Sequence, residues 1–521
     1  MQEFLRRSWR KINRRGPQAG AALLPGWVAQ GSLASADEEP WRHPFLTHNN
    51  LARFRRYSEQ VWQFAQEYAQ RQARPLNCAF AVNMAQNMYK WARLAQKYGA
   101  SVALFPDVEE KTVLSCPEWE EFDGEYADVL DGEGFLREFP GLEPEVPCYR
   151  IPRDGGDLST AHQLFMKGRE KPLLHLLAEA PGLRYESLLG YPGFYPYYRW
   201  ARALSRYEVI YAANSPFPAY ASGRPYCTVA TGGDVRVACG RGDVVGNVLK
   251  LSFNGARFLM VSNPHMLGHS RRLGFTNGVY LPYPMDDTRY CPGEGQARME
   301  WEATYGKGVY VMIPSRLDAR IKGYDRGLFD ALLKVAEARP QVRFVLLAWG
   351  EHAPRVEEMA RSCSAPHQFV LLKPVGKKRL IDYYRSCDVV LDQLVYGYYG
   401  ATALEAAAVG KPVVMRLRPE HYAPLYQGDV APVVNADSPG AVGDALVTLI
   451  EDGNLRVRKG REMREWLVRN HGEERTIPLL LALLRVAADQ VPLPEDLVSP
   501  LLDAESEGET DYHASCRKVM P

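Results

Sequence analysis

Two short segments hold the residues best suited to chemistry in this 521-residue chain. The first, residues 397–412, reads GYYGATALEAAAVGKP: a glycine-containing turn that leads from a strand into a helix. The first-turn N–H groups of such a helix have no partner within it. With the positive end of the helix dipole, they attract phosphate. Gly400 allows close approach to the backbone, Ala401 keeps the turn clear and Thr402 adds a hydroxyl donor. Glu405, about one turn further in, is placed to accept hydrogen bonds from sugar hydroxyls beside a bound phosphate. The plain alternative is an ordinary strand-to-helix turn with Glu405 exposed. The second segment, PSRLDARIKGYD (residues 314–325), follows the strand KGVYVMI and puts Arg316 and Lys322 in the loop at its C-terminal end. Arginine offers a fork and lysine a point charge, a pair suited to a pyrophosphate. They read otherwise as solvated cations beside Asp318 and Asp325, with Asp325 capping the next helix. Within one domain, the two segments together point to a nucleotide diphosphate.

Other patterns carry less. GRGDVVG (residues 240–246) imitates a dinucleotide loop, but Asp243 inside the turn repels a pyrophosphate and no ribose-binding acid ends the next strand. His265 and His269 stand four apart, a spacing that can place two metal ligands on one helix face. They lack a neighbouring Glu and a third ligand, so a structural or exposed role is expected, as for the lone His421. Trp349 and Glu351 end a strand facing the proposed cleft, where packing explains the tryptophan equally well. Asp392, at another strand end, reads as a cap or as a donor contact.

The surrounding elements are those of an α/β protein. LNCAFAVN from Leu76, a helix at about 84–98 and ASVALFP form a strand–helix–strand unit with parallel pairing. Residues 107–185 are acidic and irregular, and no fold is legible in them. YEVIYAAN, PYCTVATGGD, ARFLMVSN and GVYLPYP are short apolar runs with polar residues at their C-terminal ends, where open parallel sheets place ligands. Residues 286–306 read as an interdomain linker. Beyond them KGVYVMIPS, VRFVLLAWG, FVLLKPV, CDVVLDQL and KPVVMRL alternate with helices. The expectation is two doubly wound domains in tandem: 1–70 a basic leader and polar helix, 71–290 the first domain, 305–470 the second, and 491–521 a flexible tail.

Composition sets limits on partners. The net charge is +1, from 63 basic and 62 acidic residues, which argues against nucleic acid as a partner. Nine scattered cysteines form no C-x-x-C pair and fit a reducing cytoplasm. No apolar run approaches the ~18 residues of a spanning helix, so a soluble chain is expected. The opening MQEFLRRSWRKINRR lacks the apolar core of a signal peptide. It carries Arg6, Arg7, Arg10, Lys11, Arg14 and Arg15 against Glu3. It reads as a solvated leader or as a short amphipathic contact with an anionic membrane surface.

The combination of PSRLDARIKGYD, CDVVLDQ and GYYGATALEAAAVGKPVV resembles the donor-binding domain of glycosyltransferase family 4, the group-1 glycosyltransferases. AVNMAQNMYKWARLAQKYGASV and the run from YEVIYAAN to YLPYPMDDTRYCPG are similar to that family's first domain. The resemblance covers roughly residues 76–105 and 205–485. It implies the GT-B fold, two Rossmann-like domains facing across a cleft. A terminal helix at 471–490 would cross back to the first domain. It also implies retaining transfer, without a metal or other cofactor, from a UDP- or GDP-sugar to a glycan, lipid-linked saccharide or small molecule. Arg316 and Lys322 would then steady the leaving diphosphate, Asp234 would join them as a catalytic residue, and Glu405 would hold the ribose. The family's first glutamate is replaced by Gly397, so sugar contacts fall to backbone or to Tyr398 or Tyr399. Thr231 replaces a histidine. Another GT-B enzyme, or a non-catalytic sugar-nucleotide or glycan-binding subunit, is the alternative.

Overall fold

The computed structural model describes residues 42–72, 74–107, 112–152, 156–189, 192–320 and 322–502. The basic opening segment and residues 503–521 lie outside the described residues. Two six-stranded, all-parallel sheets organise the chain. The first comprises β1 (Asn77–Ala81), β2 (Ser101–Phe105), β3 (Val209–Ala213), β4 (Tyr226–Val229), β5 (Leu259–Val261) and β6 (Gly278–Tyr280), in the order β2-β1-β3-β4-β5-β6. The second comprises β7 (Val309–Ile313), β8 (Val342–Leu347), β9 (Phe369–Leu372), β10 (Val389–Leu391), β11 (Val413–Met415) and β12 (Val434–Asn435), in the order β12-β11-β10-β7-β8-β9. Most of these strands are short apolar runs buried along their length, because helices cover both faces of a parallel sheet.

The helices that bear on function are α1 (His48–Gln70), α2 (Asn87–Lys97), α3 (Glu118–Glu121), α4 (His265–Arg272), α5 (Ala297–Tyr305), α6 (Arg326–Ala338), α7 (Lys377–Ser386), α8 (Ala401–Ala408), α9 (Gly453–His471) and α10 (Glu473–Ala488). Thr47 caps α1 through the Asn50 N–H, and Leu51, Phe54, Val61 and Ala65 bury its inner face. α1 packs against α10, so it is part of the first domain rather than of a separate leader. Residues 491–502, expected to be tail, also pack there. Arg257 donates to the Val491 carbonyl at 2.7 Å, and Leu501 is buried against Gly278.

The linker is shorter than its composition suggests. α5 belongs to the second domain: Trp301 packs on Tyr310 and Tyr383, and Arg298 pairs with Asp388 at 2.7 Å. The chain crosses between domains twice, side by side. Met285 N–H donates to the His471 carbonyl at 2.9 Å, and Glu473 N–H donates to Asp287 Oδ1 at 2.8 Å. One buried hydrophobic cluster continues through this seam by way of Tyr280, Tyr426 and Trp466.

The segment without a legible fold is two small units. Residues 112–139 enclose their own aromatic core of Trp119, Phe122 and Phe135 with Val113 and Cys116. Residues 156–204 are mostly helical, and their core includes Leu158, Leu173, Leu188 and Tyr198.

Candidate functional site

The strand order of the second sheet reverses at β7, where chain connections leave in opposite directions from β7 and β10. Open parallel sheets bind ligands outside the carboxyl ends of strands at such a point. The loops after these two strands bring Ser315, Lys322 and Asp392 to the start of α8, with Arg316 next to Ser315 in the first loop. Ser315 Oγ donates to Asp392 Oδ1 at 2.7 Å and lies 3.0 Å from Thr402 Oγ1. Lys322 Nζ donates to the same Asp392 oxygen at 3.1 Å. Asp392 is fully buried and its Oδ2 has no hydrogen-bond partner. It holds the lysine and the serine in place while keeping one acceptor in reserve. Asp325, weighed as a cap, does cap α6, accepting from Leu328 N–H at 3.0 Å.

The helix start meets the requirements of an anion site. Gly400 is the N-cap residue of α8 in extended backbone, no side chain caps the first turn, and a Cβ on Gly400 would meet open space. Arg316 is one-third exposed, with its Nε 3.9 Å from Asp318. The loop carrying it is fixed by Leu317 N–H donating to the Trp349 carbonyl at 2.8 Å and by Trp349 Nε1 donating to the Pro314 carbonyl at 3.1 Å. Gly350 makes that approach possible. It sits at φ +102°, and a Cβ there would lie 2.9 Å from Leu317 backbone atoms.

Three expected site residues stand elsewhere. Asp234 Oδ1 accepts from Gly232 and Val235 N–H, both at 2.8 Å, and Oδ2 accepts from Thr231 N–H at 3.1 Å. The carboxylate is engaged by its own turn, so Asp234 shapes the loop after β4. Burial nevertheless pushes its pKa up, against those same N–H donors. Tyr399 lies in the aromatic seam, stacked on Tyr422 at 4.3 Å and edge-on to Trp466, so it does not line the donor site. Tyr398 faces the seam as well, bonding His421 Nδ1 at 2.8 Å and stacking on His265 at 4.3 Å.

Glu405 is not exposed, as the plain strand-to-helix turn would have left it. Only 1% of its side chain is exposed; Lys377 Nζ donates to it at 2.7 Å, Tyr384 Oη at 3.2 Å, and Lys90 Nζ of the first domain lies 3.6 Å away. Burial raises its pKa, but Lys377, Lys90 and the two hydrogen bonds outweigh that and hold it below the usual carboxylate range. The sequence signal missed Lys90 and Lys377 because each joins the site only through tertiary packing.

The first domain turns its own switch point, between β1 and β3, toward the same seam. Val82, Ala85, Gln86 and Asn214 all take positive φ there, between +50° and +64°. Such strain persists only where surrounding contacts over-determine it and gathers at ligand sites. Gln86 Nε2 donates to the carbonyls of Val113, Leu114 and Cys116, which ties this loop to the 112–139 unit. Arg236 reaches across to Tyr396 Oη at 2.6 Å.

The remaining motifs resolve simply. Asp243 caps a helix through Gly246 N–H at 2.9 Å, which removes the dinucleotide reading. His269 is buried and His265 half-buried, and loss of solvent around each pushes its pKa down. Among the described residues no group of three or more His, Cys, Asp or Glu is arranged to hold a metal ion, and no helix is long and apolar enough to cross a membrane.

Two parallel, doubly wound domains with paired switch points across a seam define the GT-B fold. HepE of Anabaena, crystallised with UDP and glucose, superposes over 80% of this chain and all of its own, with a TM-score of 0.52 and 14% identity. Sucrose-phosphate synthase of Thermosynechococcus elongatus superposes over 80% of this chain and 99% of its own, at a TM-score of 0.52 and 15% identity. Residues 308–452, within the second domain, match the model of the family Glycosyl transferases group 1.

Curated relatives align with part of the chain. Mannosylfructose-phosphate synthase of Agrobacterium fabrum is 30% identical over 146 residues, 26% of this chain and 32% of that protein. D-inositol 3-phosphate glycosyltransferase of Corynebacterium efficiens is 26% identical over 188 residues, 34% of this chain and 44% of that protein. The aligned part thus spans between about a third and under half of these relatives' length.

Proposed function

We propose that the chain is a glycosyltransferase that moves a sugar from a nucleotide-diphosphate sugar, UDP- or GDP-linked, to a hydroxyl of a glycan, a lipid-linked saccharide or a small molecule. The observation that carries this reading is the convergence of Ser315, Lys322, Asp392 and Thr402 on the uncapped start of α8 at the sheet's switch point. When a glycosidic bond to a diphosphate breaks, negative charge gathers on the leaving group and positive charge on the sugar ring. In this reading Arg316, Lys322, which Asp392 holds in position, and the first-turn N–H groups of α8 stabilise that negative charge, and donors set in advance in this way lower a barrier most. These cations and dipoles supply the stabilisation without a metal ion in the scheme. The departing diphosphate takes the acceptor's proton on the same face of the ring, so transfer proceeds with retention. Seam closure excludes water, which would otherwise compete as the acceptor.

The test is a panel of UDP- and GDP-sugars with wild type, Arg316→Ala and Lys322→Ala. Wild type is expected to bind one donor and hydrolyse it slowly without an acceptor. A charge-assisted hydrogen bond contributes about 1.5–3 kcal/mol, so each variant is expected to bind that donor about 10- to 100-fold more weakly. Failure of wild type to bind any nucleotide sugar would overturn the proposal.

A further inference from the structure

The 112–139 unit touches both domains. On the first domain it is held by Gln86 through three carbonyls, and Asn83 Nδ2 adds a bond to the Ser115 carbonyl at 3.1 Å. On the second, residues 122–126 run antiparallel to the segment that follows β9. Tyr126 N–H donates to the Pro374 carbonyl at 3.0 Å, Gly376 N–H to the Gly124 carbonyl at 2.9 Å, and Lys378 N–H to the Phe122 carbonyl at 3.2 Å. The carboxyl end of β9, part of the sheet edge where a ligand of this fold would lie, is therefore covered by backbone from the other half of the chain.

Beneath this pairing lies a sealed group of four charges drawn from both halves: Lys90 on α2, Glu120 on α3, Lys377 on α7 and Glu405 on α8. Two cations balance two anions. Glu120 and Lys90 are almost wholly buried, and Tyr290 Oη donates to Glu120 Oε1 at 3.1 Å. Burying charges is costly and is repaid only where every group is paired. Here the repayment is incomplete: Glu120 Oε2 has no hydrogen-bond partner, and Lys90 Nζ rests on a 3.6 Å ion pair with Glu405. The closed seam thus holds unused donor and acceptor capacity beside Glu405. An incoming ligand bearing hydroxyl and phosphate oxygens is of the chemistry to use it.

We propose that residues 112–126 are a strap closing the donor side of the seam, that Lys90, Glu120, Lys377 and Glu405 are its latch, and that a nucleoside diphosphate must lift the strap to reach Glu405. The nature of the gated ligand rests on the donor-site reading above; the strap itself rests on its own contacts.

Gly376 provides a wedge. Its backbone, at φ −60° and ψ 163°, suits any residue, yet a Cβ there would stand 2.2 Å from the Phe122 carbonyl oxygen. Gly376→Ala in the full-length protein should push the strap off while leaving the second domain folded. Gln86→Met, which removes the three bonds tying the strap to the first domain, is the second variant. Hydrogen exchange at the amides of Tyr126, Gly376 and Lys378 is expected to be at least ten-fold faster than wild type in both. UDP or GDP, titrated as the probes, are expected to bind at least three-fold more tightly. Wild-type exchange rates in both variants would overturn the strap. Fast exchange with unchanged or weaker binding of a nucleotide that wild type does bind would overturn its gating role. If neither nucleotide binds any of the three proteins although the amides respond, the donor reading falls and the strap stands as an interdomain latch.

Discussion

His265 shows how much a single side chain is asked to do at the seam. It leaves the first domain at the start of α4 and stacks on Tyr398 of the second, with its Nδ1 unpartnered. Burial first, then the charge of Arg236 and the neighbouring His421, push its pKa from the ordinary 6.5 down to about 3. Between those values the unfolded chain binds a proton there and the native chain does not. Stability therefore rises with pH across that window and is lost as pH falls below about 6.5, by roughly 1.4 kcal/mol per pH unit for one such proton. His471, pushed down to about 4 by burial, adds to the loss in the same direction. His265→Phe keeps a ring against Tyr398 and removes one of these protons. Urea denaturation at pH 7.0, 6.0 and 5.0 is expected to show a slope flatter by about one proton. A slope equal to wild type would mean that this ring is not held neutral. At the same scale, Asp392 explains why a loop lysine and a serine can be trusted to one position: one buried carboxylate oxygen serves both.

Turns and helix starts determine which features were legible in the sequence. The α8 start and the two loop cations were readable because local spacing alone brings a glycine turn, a helix and a strand end together. Asp234 and Tyr399 show the limit of such local reading. A motif places a residue near a site but does not say which way its side chain turns, and both turn away, one into its own loop and one into an aromatic seam. Lys90 and Lys377 left no local signal, since their partner Glu405 is 315 and 28 residues away in the chain. The 112–139 unit was illegible because its order comes from a small aromatic core and from pairing with residues 374–378, not from a helical or strand period. Gly397 shows what the turn itself forbids. It adopts φ +78°, and a Cβ would sit 2.6 Å from Arg418 Cγ. Gly397→Ala is expected to cost about 1–3 kcal/mol, from a non-glycine left-handed residue and the displaced arginine. Chemical denaturation measures it, and an unchanged midpoint would show that the loop relaxes freely. Restoring a glutamate at this position is therefore blocked by the loop before any ligand is considered.

At the scale of the whole molecule the two domains are not two consecutive lengths of chain. The first sheet is complete by Tyr280, but α10, with Ile477, Leu480 and Leu483 buried, fills the space between α1 and the sheet. A fragment covering residues 42–290 is expected to be insoluble or molten by circular dichroism and dye binding. Adding residues 472–502 as a separate chain is expected to rescue it, whereas residues 291–471 should fold alone. A cooperative melt from the first fragment by itself would contradict this assignment.

The side-by-side crossings at Met285 and Gly472 also set the order of events during synthesis. A growing chain that has just finished β6 still lacks the helix that shields α1, and the ribosome must add about 200 residues before that helix emerges. At roughly 5–20 residues per second that is a wait of about 10–40 s. During it the face of α1 that α10 will cover has no permanent partner, while the whole second domain is made and can fold. The amino-terminal half is thus the last to mature, and newly made chains are expected to depend on chaperones most during that interval.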